Sequence, residues 1–266
     1  MSTARRQPGF VIAATGLVAE AQIAARSADV KTVVSGGNAN HLAGLIEAAI
    51  AEGGRAILSF GIAGGLSADL VPGTCLIGSE VVWADKLYRA DAAWTARLAR
   101  GLASSRGERF ELGCRHQTVA SKIEDRGCGE RRADRAPGQR ALHRIAGVDQ
   151  ALVRPSDKRA LNAATGATAV DMESHVIADL AGRHRLPFAV LRAVADPAGR
   201  AVPVAALAGM RSDGTINASA CLRSLVQNPG QLPALIRLGV DTSRAMLQLL
   251  RCVKLMGPGF GFFERG

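Results

Sequence analysis

Short apolar runs alternate with helix-like segments along this 266-residue chain, which marks it as an α/β protein built on a largely parallel sheet. Two stretches add to that reading. Gly166–Glu173 (GATAVDME) and Leu186–Pro197 (LPFAVLRAVADP) are each apolar and then reach an isolated acid, Glu173 and Asp196. A carboxylate at the carboxyl end of a buried strand stands where open α/β sheets bind ligands. The helix-like SHVIADLAGRHR between the two stretches lets both acids reach one pocket.

The elements follow in order. Phe10–Thr15 reads as a first strand, Gly16 as a turn, and the residues from Leu17 as an amphipathic helix. The same region imitates a secretory signal, with Arg5 and Arg6, the uncharged run Pro8–Ala19, and Ala19-Glu20-Ala21 as an A-x-A site. Strand and helix are expected, because the sheet needs a first strand and none follows soon enough otherwise. Lys31–Ser35 is a second strand. Ala39–Glu52 is a helix, with Leu42, Leu45, Ile46, Ala49 and Ile50 on one face. Ala56–Phe60 is a buried strand that leads into Gly61-Ile-Ala-Gly-Gly, and Thr74–Trp83 is a strand after the Pro72-Gly73 turn. Helices are expected at Asp91–Leu102 and Ser156–Thr165, and strands at Arg144–Gly147 and Ala167–Val170. Ser174–Arg185 is helical, Phe188–Val194 is the last strand, and helices fill Val202–Ala208, Ala218–Val226 and Pro233–Leu255. One domain spans residues 1–266. Lys122–Arg144, with six arginines and no period, reads as an irregular loop or insert, and Gly257–Gly266 as a flexible Gly/Phe-rich tail.

The formal charge of +10 does not point to nucleic acid, since arginines are scattered and aromatics, at 4%, are too few for base stacking. An anionic membrane surface is the weaker partner such a charge suggests. Five cysteines without metal-ligand spacing fit buried thiols in a reducing, cytoplasmic setting. His175 and His184 read as helix-face and loop residues, so no metal is expected.

Four features bear on chemistry. Gly61–Gly65 lacks the spacing of a dinucleotide site or a P-loop, so it reads as a tight turn or as a backbone open to a ligand. Glu173 is either a helix-start acid favoured by the macrodipole or a carboxylate accepting hydrogen bonds from a vicinal diol. Asp196 is either an Asp-Pro turn or a carboxyl group whose apolar surroundings keep a proton on it. Glu20, in the first turns of its helix, reads as a solvated helix residue.

The set SFGIAGGL, PGTCLIGSEVV, TGATAVDMESHVIADLA and LPFAVLRAVADPA resembles the purine nucleoside phosphorylase/nucleosidase superfamily over Phe10–Arg100 and Arg144–Leu255. With QNPGQLPALIRLG, the chain is most similar to the hopanoid-associated phosphorylase group, and more distantly to methylthioadenosine/S-adenosylhomocysteine nucleosidases. The resemblance implies a three-layer α/β sandwich with a central mixed sheet, a homo-oligomer, and no cofactor beyond phosphate or water as co-substrate. By position it implies that Met172 and Glu173 bind ribose, Asp196 protonates the purine at N7, and Glu20 activates water. It sets Ser35, Gly36, Gly61, Ile62, Ala63 and Gly64 around the ribose and the nucleophile, and the purine wall near Val148 and Asp149.

Two departures matter. Ser59 stands where related phosphorylases carry a phosphate-clamping Arg, and Ile62 where they usually carry Ser, which favours hydrolysis. For the hopanoid group the substrate would be adenosylhopane, and an apolar channel would be lined from Leu232, Leu235, Ile236, Leu238, Met246, Phe260, Phe262 and Phe263. The rivals are a nucleosidase or phosphorylase of small purine nucleosides, and an inactive scaffold member of a lipid-biosynthetic assembly.

Overall fold

The computed structural model describes residues 9–103 and 142–264. Strand β1 (Phe10–Thr15) lies between β2 (Val30–Val34) and β3 (Gly54–Gly65), parallel to both. On its far edge β3 pairs in parallel with β8 (Phe188–Asp196), from Ile57 opposite Phe188 to Gly64 opposite Asp196. β8 then pairs antiparallel with β4 (Cys75–Trp83). The second half of β4 diverges to a hairpin partner, β5 (Lys86–Arg89), and to the parallel β6 (His143–Gly147). β7 (Ala169–Asp171) runs parallel to β6 and pairs antiparallel with the end of β3, at Gly64 and Gly65. The sheet is therefore mixed, and β3, β8, β4, β6 and β7 close on themselves at one end.

The middle layer is apolar on both faces, as buried strands require. Val11, Ala13, Leu58, Phe60, Leu191 and Ala193 meet α3 (Ala92–Ala103) and α8 (Leu232–Met256), with α1 (Val18–Ala24) alongside. Ile12, Ala14, Ile57 and Val190 meet α2 (Ala39–Ala51) and α5 (Ser174–His184) on the opposite face. Helix, sheet and helix make the three layers. A smaller cluster, where Leu161 of α4 (Pro155–Thr165) packs toward Leu66, Ala146 and Val170, covers the closed end. The short α6 (Val204–Ala208) and α7 (Ala218–Gln227) lie between β8 and α8.

Most bounds agree with the sequence reading to within two residues; three features differ. Gly61–Gly65 is no turn: β3 runs through it, because β8 and then β7 supply backbone partners that only the folded sheet provides. β5, four residues with two basic ones, is too short and charged to show an apolar period. The stretch after α8 forms a 3-10 turn at Pro258–Gly261 that buries Phe260 against Phe60, and Trp94 Nε1 donates to the Phe260 carbonyl at 2.9 Å. The irregular stretch expected at Lys122–Arg144 lies outside the described residues up to position 141. Among the described residues, no helix is long and apolar enough to cross a membrane.

Candidate active site

Beyond the carboxyl ends of β1, β7 and β8 lies a cavity of about 240 Å³. Glu20, Glu173 and Asp196, far apart along the chain, all line it. The topology explains this: parallel β1 and β8 end on this side, with Glu20 in the helix after β1 and Asp196 at the last residue of β8, while β7, antiparallel to β3, brings Glu173 in beside the end of β3.

Glu20 occupies the third position of α1. Its Oε2 accepts from the N–H groups of Gly16 and Leu17, both at 2.9 Å, and its Oε1 from Ile62 at 2.7 Å. The side chain that the sequence reads as solvated is thus buried, because α1 docks this face against β3. Burial pushes its carboxyl up to about 7; Arg192 pulls it down, Glu173 raises it, and the N–H donors lower it. A carboxyl group tuned near neutrality suits a general base.

Glu173 is buried at the start of α5, where Ser35 Oγ donates to its Oε1 at 3.1 Å and Arg192 Nη2 to its Oε2 at 3.2 Å. Desolvation raises its pKa against the opposing pull of Arg192. The capping load falls instead on Asp171, whose Oδ1 accepts from the N–H groups of Glu173 (3.2 Å) and Ser174 (2.8 Å). Glu173 is therefore spared from helix capping and faces the cavity.

Arg192, within β8 and 1% exposed, ties this cluster together. Its Nε pairs with Asp171 Oδ2 at 2.8 Å, and its Nη2 donates to Ser59 Oγ at 2.6 Å. The sequence reading passed over it. An arginine in the middle of the otherwise apolar FAVLRAVAD was the available signal, since a charge on a buried strand requires partners. Lys158 was missed too, and nothing marked it: in PSDKRAL it reads as an ordinary solvated helix residue. It is fully buried, and its Nζ donates to Asp196 Oδ2, to the Pro197 carbonyl at 3.2 Å and to the Arg200 carbonyl at 3.1 Å. Asp196 itself is raised by burial, against the lowering influence of Lys158.

Of the residues named from the sequence, Met172, Ile62, Ala63, Gly64 and Val148 join the three acids on the cavity wall. Ser35 stands behind Glu173, and Gly61 behind Glu20. Gly36 does not reach the cavity but packs against the Ser212 carbonyl. Asp149 also points away, its side chain 70% exposed and 3.2 Å from His175 Nε2, so Val148, Ala151 and Leu152 form that wall instead. Of the eight residues expected to line an apolar channel, Leu238 alone does so. Met246, Phe260 and Phe262 pack into or against the core, while Leu232 and Ile236 face outward. The apolar wall comes from Leu17, Val202, Ala206, Leu207, Met210 and Ile216.

Solved structures of similar fold include nucleosidases and a futalosine hydrolase. The 5′-methylthioadenosine/S-adenosylhomocysteine nucleosidase of Helicobacter pylori, with butyl-thio-DADMe-Immucillin-A, is 15% identical, with a TM-score of 0.57 over 94% of this chain and 99% of that one. S-adenosylhomocysteine nucleosidase of Streptococcus pyogenes, in complex with 5-methylthiotubericidin, is 15% identical, with a TM-score of 0.56 over 93% and 98%. Futalosine hydrolase of Helicobacter pylori gives 0.54 at 17% identity over 82% and 97%. At such identities the likeness is one of fold. A comparison with curated protein sequences gave no match. A family model for the Phosphorylase superfamily matches residues 23–227, and the chain belongs to that superfamily, a class of enzymes that cleave N-glycosyl bonds.

Proposed function

We propose that this protein hydrolyses the N-glycosidic bond of a purine nucleoside that carries a large apolar group at its 5′ carbon, as adenosylhopane does. The observation that carries the reading is the convergence of Glu20, Glu173 and Asp196 on one cavity. Glu173, fixed by Ser35 and Arg192, accepts hydrogen bonds from the ribose diol. As the bond to the base breaks and positive charge develops on the ribose, Asp196 supplies a proton to the departing purine. Glu20 takes a proton from the attacking water. General acid–base steps of this kind contribute about 10²–10⁴-fold each.

Water rather than phosphate is favoured by what surrounds Glu20. The backbone N–H groups of Gly16, Leu17 and Ile62, a ready cradle for an anion, already serve the Glu20 carboxylate. Lys158 is the one basic side chain among the described residues on the cavity wall, and it is held by Asp196. Among the described residues, no guanidinium, the strong bidentate phosphate ligand, lines that wall.

The 5′ substituent finds its match in the apolar wall, where Met210 and Ile216 are also exposed at the surface. Further outward-facing apolar side chains stand on α7 and α8: Leu222, Val226, Leu232, Ile236 and Val240. Arg223 and Arg237 are exposed on the same helices, so an anionic lipid surface complements this side of the molecule. A methylthioadenosine-type nucleosidase is the second reading, favoured by the fold neighbours.

Release of adenine from 5′-methylthioadenosine and from a 5′-alkyl adenosine of long chain, each with and without phosphate, tests the proposal. Base and free sugar should form without phosphate, and kcat/KM should be greater for the long chain. A strict phosphate requirement would refute hydrolysis, and a preference for the methylthio compound would refute the lipid-like substituent.

A further inference from the structure

Lys158 stands on the cavity wall as a fully buried ammonium, and its three donors have three acceptors: Asp196 Oδ2 and the carbonyls of Pro197 and Arg200. A buried lysine of this kind is expensive unless paired, and a purely structural ion pair does not need an acid that faces a ligand cavity. The two carbonyls hold the nitrogen in place in either of its protonation states. What remains is a single N–H aimed at the carboxyl group of Asp196, so the pair contains one transferable proton more than a lone carboxylate does.

We propose that Lys158 is the positioning residue and proton reservoir for Asp196: it fixes the carboxyl group through Oδ2 and hands on the proton that the departing base receives. This rests on the hydrolytic reading above. The bond from C1′ to the base nitrogen breaks, and its electron pair goes to the base. The base takes a proton from Asp196, and Asp196 takes one from Lys158 Nζ, which becomes a neutral amine. Water bonds to C1′ and loses a proton to Glu20. After the products leave, exchange with solvent removes that proton from Glu20 and returns one to Lys158, so charge and atoms balance over the cycle.

The charged groups around the pair are few. Arg200, in the turn after β8, places its guanidinium 2.6 Å from Asp241 of α8, and Arg244 reaches the same carboxylate at 3.3 Å. Asp241 opposes and Arg200 favours ionisation of Asp196, both less strongly than Lys158 does. Lys158 is thus the dominant nearby cation, and no second lysine or histidine contacts Asp196 among the described residues.

The pH dependence of kcat separates a proton reservoir from a purely structural pair. In the unaltered enzyme, the acidic limb should follow Glu20 near pH 7 and the alkaline limb should lie separately above it, since the pair carries a proton that a lone carboxylate does not. In Lys158→Met, of similar length but with no proton to give, the alkaline limb should move toward neutrality while the acidic limb stays. The loss in kcat should therefore grow with pH, to about 10²-fold at pH 8. A loss equal at every pH, or an unchanged profile, would overturn the inference. Should the variant fail to fold, the unaltered enzyme still decides: an alkaline limb already falling off near pH 7 excludes Lys158 as the source. Absence of base release from the unaltered enzyme would count against the hydrolytic reading itself, which keeps the two failures apart.

Discussion

Glu20 exacts a cost in stability that a side chain serving only the fold would not. Its folded pKa, about 7, lies above the ordinary 4.5. Below pH 4.5 both the folded and unfolded states hold the proton, and the burial carries no charge penalty. Between 4.5 and 7 the unfolded chain releases its proton first, so stability falls as pH rises. Above 7 the penalty is complete, at about 3 kcal/mol. Glu20→Gln removes this titration. The variant's melting temperature, relative to the unaltered protein, should therefore be higher at pH 8 than at pH 5, while base release falls by at least about 10²-fold. Equal differences at the two pH values would mean that Glu20 is not raised. The same reasoning explains why this acid was hard to find: a Glu three residues into an amphipathic helix looks solvated until β3 is packed over it. Arg192 was legible in principle, as a lone charge in an apolar strand, whereas Lys158 looks like any other helix-surface lysine.

Strand β3 has to pass Glu20 and Arg192 at close range, and Gly61 makes this feasible. Its φ is +152°, and a Cβ there would lie 2.6 Å from Glu20 Oε1 and 2.8 Å from Arg192 Nη1. Gly61→Ala should therefore lower kcat/KM by more than about 10²-fold and destabilise the protein by about 1–3 kcal/mol. Gly44, within α2 and with nothing inside 4 Å of a built Cβ, provides the contrast: Gly44→Ala should leave activity unchanged and add about 0.5–1 kcal/mol. Urea unfolding and steady-state kinetics on both variants check this, and an active Gly61→Ala enzyme would contradict the close approach. Most strands and helices were legible because their apolar spacing serves a buried sheet. The continuation of β3 was not, since its partners β7 and β8 arrive from more than a hundred residues away.

The C-terminal part of the chain gives the molecule two unlike sides. α8 sends Ala245, Leu249 and Cys252 into the core, yet Leu232, Ile236 and Val240 face outward, and α7 buries none of its residues. Both helices carry exposed arginines, and Met210 and Ile216, just before α7 in the chain, are exposed and line the cavity. If this side rests on anionic lipid, the protein should co-sediment with vesicles containing anionic headgroups and far less with zwitterionic ones. Leu222→Asp with Val226→Asp should abolish that binding while turnover of 5′-methylthioadenosine in solution stays within about twofold, since both positions are exposed. Equal binding to both vesicle types would exclude the electrostatic contribution.

Periodicity and short motifs were enough to recover the α/β architecture, the order of its strands and helices, and Glu173 and Asp196 as candidate acids, because these are written locally as apolar spacing and as acids at strand ends; Glu20 was marked only by the family resemblance. The partners of those acids were decided in three dimensions. Arg192 between Asp171 and Glu173, Lys158 against Asp196, and the Ile62 N–H on Glu20 each join separate elements of the chain. Burial is what turns ordinary Glu, Asp and Lys side chains into groups with altered proton affinity, and burial depends on how the layers close.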